Sequence, residues 1–309
     1  MGFLLNTLVA IMPLVSLAQA APMQDALATQ DLRLAVLADR MLEANAGLCA
    51  RTMPLPGIIL HSVDQYRGEG RSDGFANGPI EILVVIPGSP AAQADLRPGD
   101  AIVSIGDTPV PQTAASGKHL RETAFDLIAR QPGDAALALR IRRDGEMQDH
   151  RLDTAVGCRA LVEITAADTP RARSDGQVIQ IRMDFARSLT NAELAAVFAH
   201  ELAHSILDHR RRKAELGETT TAARAAEVEA DRLSVHLLAN AGLDPMAAAQ
   251  FWRSGASEPF ASGLPFRSDH PRRERRAEII EREIAIYLPT ASGPTWPGHL
   301  LALRELPLD

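Results

Sequence analysis

The chain is nearly without cysteine: Cys49 and Cys158 are the two in 309 residues, and neither belongs to a C-x-x-C pair. That removes a cysteine-rich structural zinc module and a dithiol redox motif. In an oxidising compartment the pair could form one disulfide, clipping the N-terminal helix to the stretch after the middle of the chain. Two buried thiols are the other reading, and composition leaves both open. Aromatics are scarce, at 4%, so the core that 46% hydrophobic residues can supply is built from Ala, Leu, Ile and Val. A sustained basic face is also missing. Formal net charge is −7 with mixed signs, which excludes a nucleic-acid partner. Two short basic runs, at residues 210–213 and 272–276, read as solvated helix surface. Past residue 20 no apolar run approaches membrane-spanning length, and no internal repeat is apparent.

What the first twenty residues do have is an apolar stretch, Leu4 to Val15, followed by Ala18-Gln19-Ala20. An apolar segment ending in A-x-A is the pattern of a signal peptide, here residues 1–20, although no Lys or Arg precedes it. The expectation is an exported, periplasmic protein. Contact with a membrane surface is allowed but not required, and no cysteine near Ala20 offers a lipid attachment. Residues 25–45 then carry Leu27, Leu34, Leu37, Met41 and Leu42 near helical spacing, closed by Gly47. Residues 57–60 read as a short strand between turn residues, and the Gly, Ser and Asp of 67–78 as a boundary loop. Residues 21–74 are accordingly taken as a helix and strand of a domain that resumes at 153.

Residues 75–152 have a different grammar: a strand at 80–86, a turn, a short helical turn at 91–94, a second tight turn, a strand at 101–105, a helix at 117–130 and an alternating strand at 136–142. The run Gly88-Ser89-Pro90-Ala91-Ala92-Gln93-Ala94-Asp95-Leu96-Arg97-Pro98-Gly99-Asp100-Ala101-Ile102 resembles the PDZ domain of bacterial proteases. Asp95 stands where that family has Gly, and Asp tolerates a left-handed backbone better than most residues. The resemblance implies a β-rich domain that binds peptide tails as an added strand, with backbone N–H groups around the terminal carboxylate. The segment 74–78 is one candidate for that carboxylate loop.

The chemistry concentrates at His200-Glu201-Leu202-Ala203-His204. Two histidines four apart on a helix lie one turn apart on one face, so both rings can reach one metal ion, with Glu201 placed to act as a general base. Thr190 and Glu193 form the sequence of a capping box, and Leu194, Val197, Phe198, Leu202 and Ile206 continue a helical apolar pattern. A catalytic zinc takes three protein ligands and keeps one position open. On a second helix at about 221–241, Glu227 and Asp231 share a face. We assign Glu227 as third ligand and Asp231 as the acceptor for a ligand imidazole N–H. Glu229 points away and reads as a solvated charge, His236 is a competing ligand, and His209 reads as a surface residue or one behind the ligands.

H-E-L-A-H followed by E-V-E-A-D resembles the gluzincin family that includes the HtpX and BepA quality-control peptidases and the CAAX prenyl proteases. The resemblance implies one zinc ion per chain on His200, His204 and Glu227, with Asp231 behind them. A downstream His-Pro with Arg six residues on, here His270-Pro271 and Arg276, implies that His270 approaches the metal and that Arg276 is structural or near the site. The expected fold class is α+β, a mainly helical zincin-type domain with a small sheet (153–309) plus a β-rich PDZ domain. The expected function is zinc-dependent hydrolysis of peptide bonds in polypeptide substrates, unfolded envelope proteins above all, with tails held by the PDZ domain. The competing reading is a PDZ adaptor whose peptidase domain is latent or inactive.

Overall fold

The computed structural model describes residues 20–66, 74–114, 117–167, 170–216, 219–260, 272–288 and 294–308. Residues 1–19 of the expected signal peptide and His270 lie outside the described residues. The fold is mixed α+β. Among the described residues no helix is long and apolar enough to cross a membrane.

Helix α1 (Ala20–Ala44) buries Leu34, Ala38, Met41 and Leu42, as its spacing requires. Two short strands follow, β1 (Thr52–Leu55) and β2 (Ile58–Ser62). Then come β3 (Ile80–Val85), the single turn α2 (Pro90–Gln93), β4 (Ala101–Ile105), β5 (Thr108–Pro109), α3 (Leu120–Ala129) and the hairpin β6 (Leu137–Arg143) and β7 (Glu146–Leu152). These strands form an antiparallel sheet in the order β2-β3-β4-β6-β7, with β5 beside β4. Local chemistry sets its corners. Ser89 caps α2 by accepting the Ala92 N–H, with Pro90 at the first helical position. Asp95 sits at φ 56°, the left-handed turn that the Gly-to-Asp departure demanded. Asp144 and Gly145, at φ 51° and 85°, make the two-residue turn between β6 and β7.

The structure corrects the expected boundary at residue 74. Strand β2, read as part of the flanking domain, pairs with β3 from Ile58↔Val85 to Ser62↔Ile80 and is an edge of the middle sheet. Gly57 makes the entry possible: its φ is 76°, and a Cβ there would lie 2.1 Å from the Ser89 Cβ. The candidate carboxylate loop at 74–78 is instead tied to the sheet, with Asn77 bonded to Gly99, Glu81 and Arg142. Strand β1, which the sequence reading does not include, pairs with β8 (Ala155–Cys158) in a two-stranded ribbon, where an edge proline costs no ladder bond. Beside this ribbon Cys49 and Cys158 form a disulfide, which settles the choice between bridge and free thiols.

The remaining elements are β9 (Leu161–Thr165), β10 (Ala172–Ser174), β11 (Val178–Arg182), α4 (Met183–Ser188), α5 (Asn191–Ile206), α6 (His209–Leu216), α7 (Thr220–Asn240), α8 (Met246–Arg253), α9 (Arg273–Tyr287) and α10 (Gly298–Leu301). The three strands order as β10-β11-β9, so β10 and β9 are edges. Helix α5 packs between this sheet and α7, and α9 covers α7 and α8.

A buried ion pair stitches the two halves: Arg121 on α3 meets Glu163 on β9. Close by on α1, Asp31 accepts the Ile164 N–H at 2.7 Å and is 3% exposed. Burial, reinforced by the Glu163 charge, raises the Asp31 carboxyl from 3.8 to about 7. The folded chain thus holds a proton that the unfolded chain has released, so the stability from this group is full near pH 4 and falls as pH climbs through about 7. Asp31→Asn keeps the acceptor for Ile164 and removes the titration. Relative to the parent protein, it should gain little near about pH 4 and on the order of 2–4 kcal/mol near about pH 8. Urea unfolding at the two pH values checks this, and an equal gain at both would refute the assignment.

Candidate metal centre

Helix α5 is fixed from its first residue. Thr190 Oγ1 accepts the Glu193 N–H at 3.2 Å while Glu193 Oε2 accepts the Thr190 N–H at 2.8 Å, the reciprocal cap its sequence specified. Leu194, Phe198, Leu202 and Ile206 are buried along one stripe. That anchoring turns His200, Glu201 and His204 toward a cavity of about 390 Å³ against α7. Its other walls include Ala172 and Ser174 of edge strand β10, and Phe251 and Trp252 of α8.

Three side chains converge there. His200 Nε2 lies 3.1 Å from His204 Nε2 and 3.3 Å from Glu227 Oε2, and His204 Nε2 lies 3.4 Å from Glu227 Oε1. Donors each about 2.0–2.1 Å from a tetrahedral zinc sit roughly 3.3–3.4 Å apart. Two imidazoles and a carboxylate at these spacings fit such an ion. Behind them, His200 Nδ1 faces Asp231 Oδ1 at 3.1 Å. Asp231 in turn takes two hydrogen bonds from Arg276, at 2.6 Å and 2.7 Å. Arg276 also reaches Glu227 Oε2 at 3.2 Å and stacks over the Trp252 ring. The structure therefore brings together His200, Glu201, His204, Glu227, Asp231 and Arg276.

The electrostatics separate the three titratable groups that the helix turns toward the cavity. Burial opposes charge on His200, but hydrogen bonds to Asp231 and Glu227 outweigh it and lift the imidazole to about 9. Burial holds His204 well below the ordinary histidine range. Burial also pushes the Glu201 carboxyl up to about 7, with the Glu227 charge adding to the rise.

Three readings made from spacing are corrected. Glu229 is not a solvated charge: its carboxylate accepts from His209 Nε2 at 3.0 Å and from Arg212 at 2.6 Å and 3.1 Å. The basic runs are not wholly solvated, since Arg212 and Arg276 are each 2% exposed and ion-paired. His236 is no rival ligand for this site. It faces Glu283 Oε1 at 3.1 Å, and His299 Nε2 reaches the same oxygen at 2.7 Å. Two nitrogens crowded on one oxygen at those distances are hydrogen-bonded. These bonds, with Arg232 on the other Glu283 oxygen, pull that carboxyl down to about 2 although burial opposes it.

Comparison with known families agrees with this geometry in two segments. Residues 81–143 match the PDZ domain, and residues 218–284 match peptidase family M48. No curated protein matches the chain. The second segment carries Glu227, Asp231 and Arg276 but begins after the two histidines, so their place in the site rests on the distances above. The two matches and the convergent donors support a metallopeptidase of the M48 kind that carries a peptide-binding PDZ domain.

Proposed function

We propose that the protein is an exported, periplasmic zinc endopeptidase of the HtpX/BepA type that cleaves unfolded polypeptides. The observation that carries this reading is the convergence of His200 Nε2, His204 Nε2 and the Glu227 carboxylate beside Glu201 in one cavity. When bound by those three residues, zinc supplies Lewis-acid activation of water and of a carbonyl. Glu201, in its ionised form, takes a proton from the attacking water and returns it to the leaving nitrogen. Asp231, locked by Arg276, holds His200 with its Nδ1 proton inward and its Nε2 lone pair outward. Among the described residues β10 is an edge strand on the cavity wall, where a substrate strand can add. His270 is proposed to reach the same centre, either stabilising the oxyanion or closing the site at rest.

The PDZ part would hold tails in the groove between β2 and α3, with Pro56 and Gly57 at its head. The second reading is a PDZ adaptor whose peptidase domain is latent or inactive; the same groove, of about 90 Å³, is lined also by residues of α1 and by Leu161 and Val162 of β9. Incubation of the mature chain with unfolded casein separates the two. The first reading expects fragments that vanish with chelator and return with zinc. Binding of casein without cleavage, at any zinc concentration, would leave the adaptor reading in its place.

A further inference from the structure

The two ligand histidines are held in different ways, and for the second the structure decides between the two sequence readings of His209 in favour of a place behind the ligands. His200 has a carboxylate directly behind it, Asp231. Behind His204 stands another imidazole: His204 Nδ1 lies 2.7 Å from His209 Nδ1. Proton bookkeeping along this contact has one solution if His204 presents its Nε2 lone pair to the converging donors. Its Nδ1 then carries the proton and donates it, so His209 Nδ1 must be the acceptor. That places the His209 proton on Nε2, which faces Glu229 Oε2 at 3.0 Å. Glu229 is kept as an acceptor by Arg212, which meets it with Nη1 at 2.6 Å and Nη2 at 3.1 Å. Arg212 is itself fixed by donation to the Leu306 carbonyl at 3.0 Å. His209 and Arg212 are each 2% exposed, so bulk water does not compete for these bonds.

From this chain we propose that His209 and Glu229 are positioning residues for His204, setting its tautomer and ring orientation through a neutral imidazole rather than through a carboxylate. The inference rests on the metallopeptidase reading and extends it to residues outside the ligand set. It also assigns the pair different weights. His209 holds the ligand ring by the bond it accepts, and Glu229 holds His209 against flipping to the tautomer that would present an N–H to His204 Nδ1. Partners of this kind behind a metal-bound histidine typically change metal affinity by roughly 10–100-fold when lost.

The test is metal affinity, measured by chelator competition, together with the visible absorption of the cobalt-substituted protein. His209→Phe keeps the ring volume and removes the acceptor. It should weaken zinc by about 10–100-fold and shift the cobalt spectrum. His209→Asn, whose Oδ1 can occupy the place of Nδ1, should recover most of the affinity, a rescue that a merely space-filling role would not give. Glu229→Gln, which preserves shape, guards against a His209 variant that fails to fold and should weaken zinc by a smaller factor in the same direction. Parent-like affinity and an unchanged cobalt spectrum in His209→Phe and Glu229→Gln would overturn the proposal. Parent protein that takes up no stoichiometric zinc would instead overturn the reading on which it rests.

Discussion

Glu201→Gln is expected to reduce casein cleavage by roughly 10²–10⁴-fold, the range over which a positioned general base contributes, while zinc content stays at one ion per chain. The substitution is isosteric, and Glu201 is one residue from a ligand without being part of the converging set. Its carboxyl lines the cavity that contains the ligands, and burial has raised it to about 7. A group poised there can both accept and release a proton near neutrality, whereas a carboxamide can do neither. Zinc analysis and casein turnover on the same preparation distinguish the outcomes. Retained cleavage would remove Glu201 from the proton-transfer role. Loss of zinc along with activity would place it in the coordination sphere instead.

What could be read before folding, and what could not, follows from the range of the interactions. The capping box and the i, i+4 histidines of α5 are local, so residue spacing alone states their geometry. Glu227 and Asp231 were found because a helix converts spacing into a shared face, although the helix they had to face was inferred from ligand chemistry. Glu229 shows where this logic stops. Its direction around α7 was read correctly as away from Glu227, but "away" led to α6 and Arg212 rather than to water. A basic run looks the same in sequence whether solvated or buried, because the partner that decides it lies on another helix. Strand β2 was misplaced for a similar reason: hydrogen bonds to β3 across the intervening loop assign it to a sheet. The hairpin of β6 and β7 was the avoidable omission. Asp144-Gly145 is a strong two-residue turn signal, but β7 is mostly polar, with Met147 turned to solvent.

Arg276 carries the second large expectation, this one in stability. The guanidinium is buried with Asp231, at 2% and 1% exposure, and makes both of its short bonds to that carboxylate. Arg276→Met fills much of the same volume and retains contact with the Trp252 ring, but it leaves Asp231 as a buried charge facing His200 without its guanidinium. Breaking one side of a buried pair costs about 3–5 kcal/mol, which for a chain of this size corresponds to a melting temperature lowered by on the order of 10 °C. Arg276→Lys should recover only part of this, since a single ammonium cannot reproduce the two-pronged geometry. The decisive comparison is the double variant with Asp231→Asn. If the cost of Arg276→Met is the stranded carboxylate, neutralising that carboxylate must return a large share of it, so the two substitutions will be strongly non-additive. Simple addition of the two losses in thermal unfolding would mean that Arg276 stabilises through its other contacts, the Glu227 carboxylate and the Trp252 ring. Asp231 would then hold His200 without help from the guanidinium.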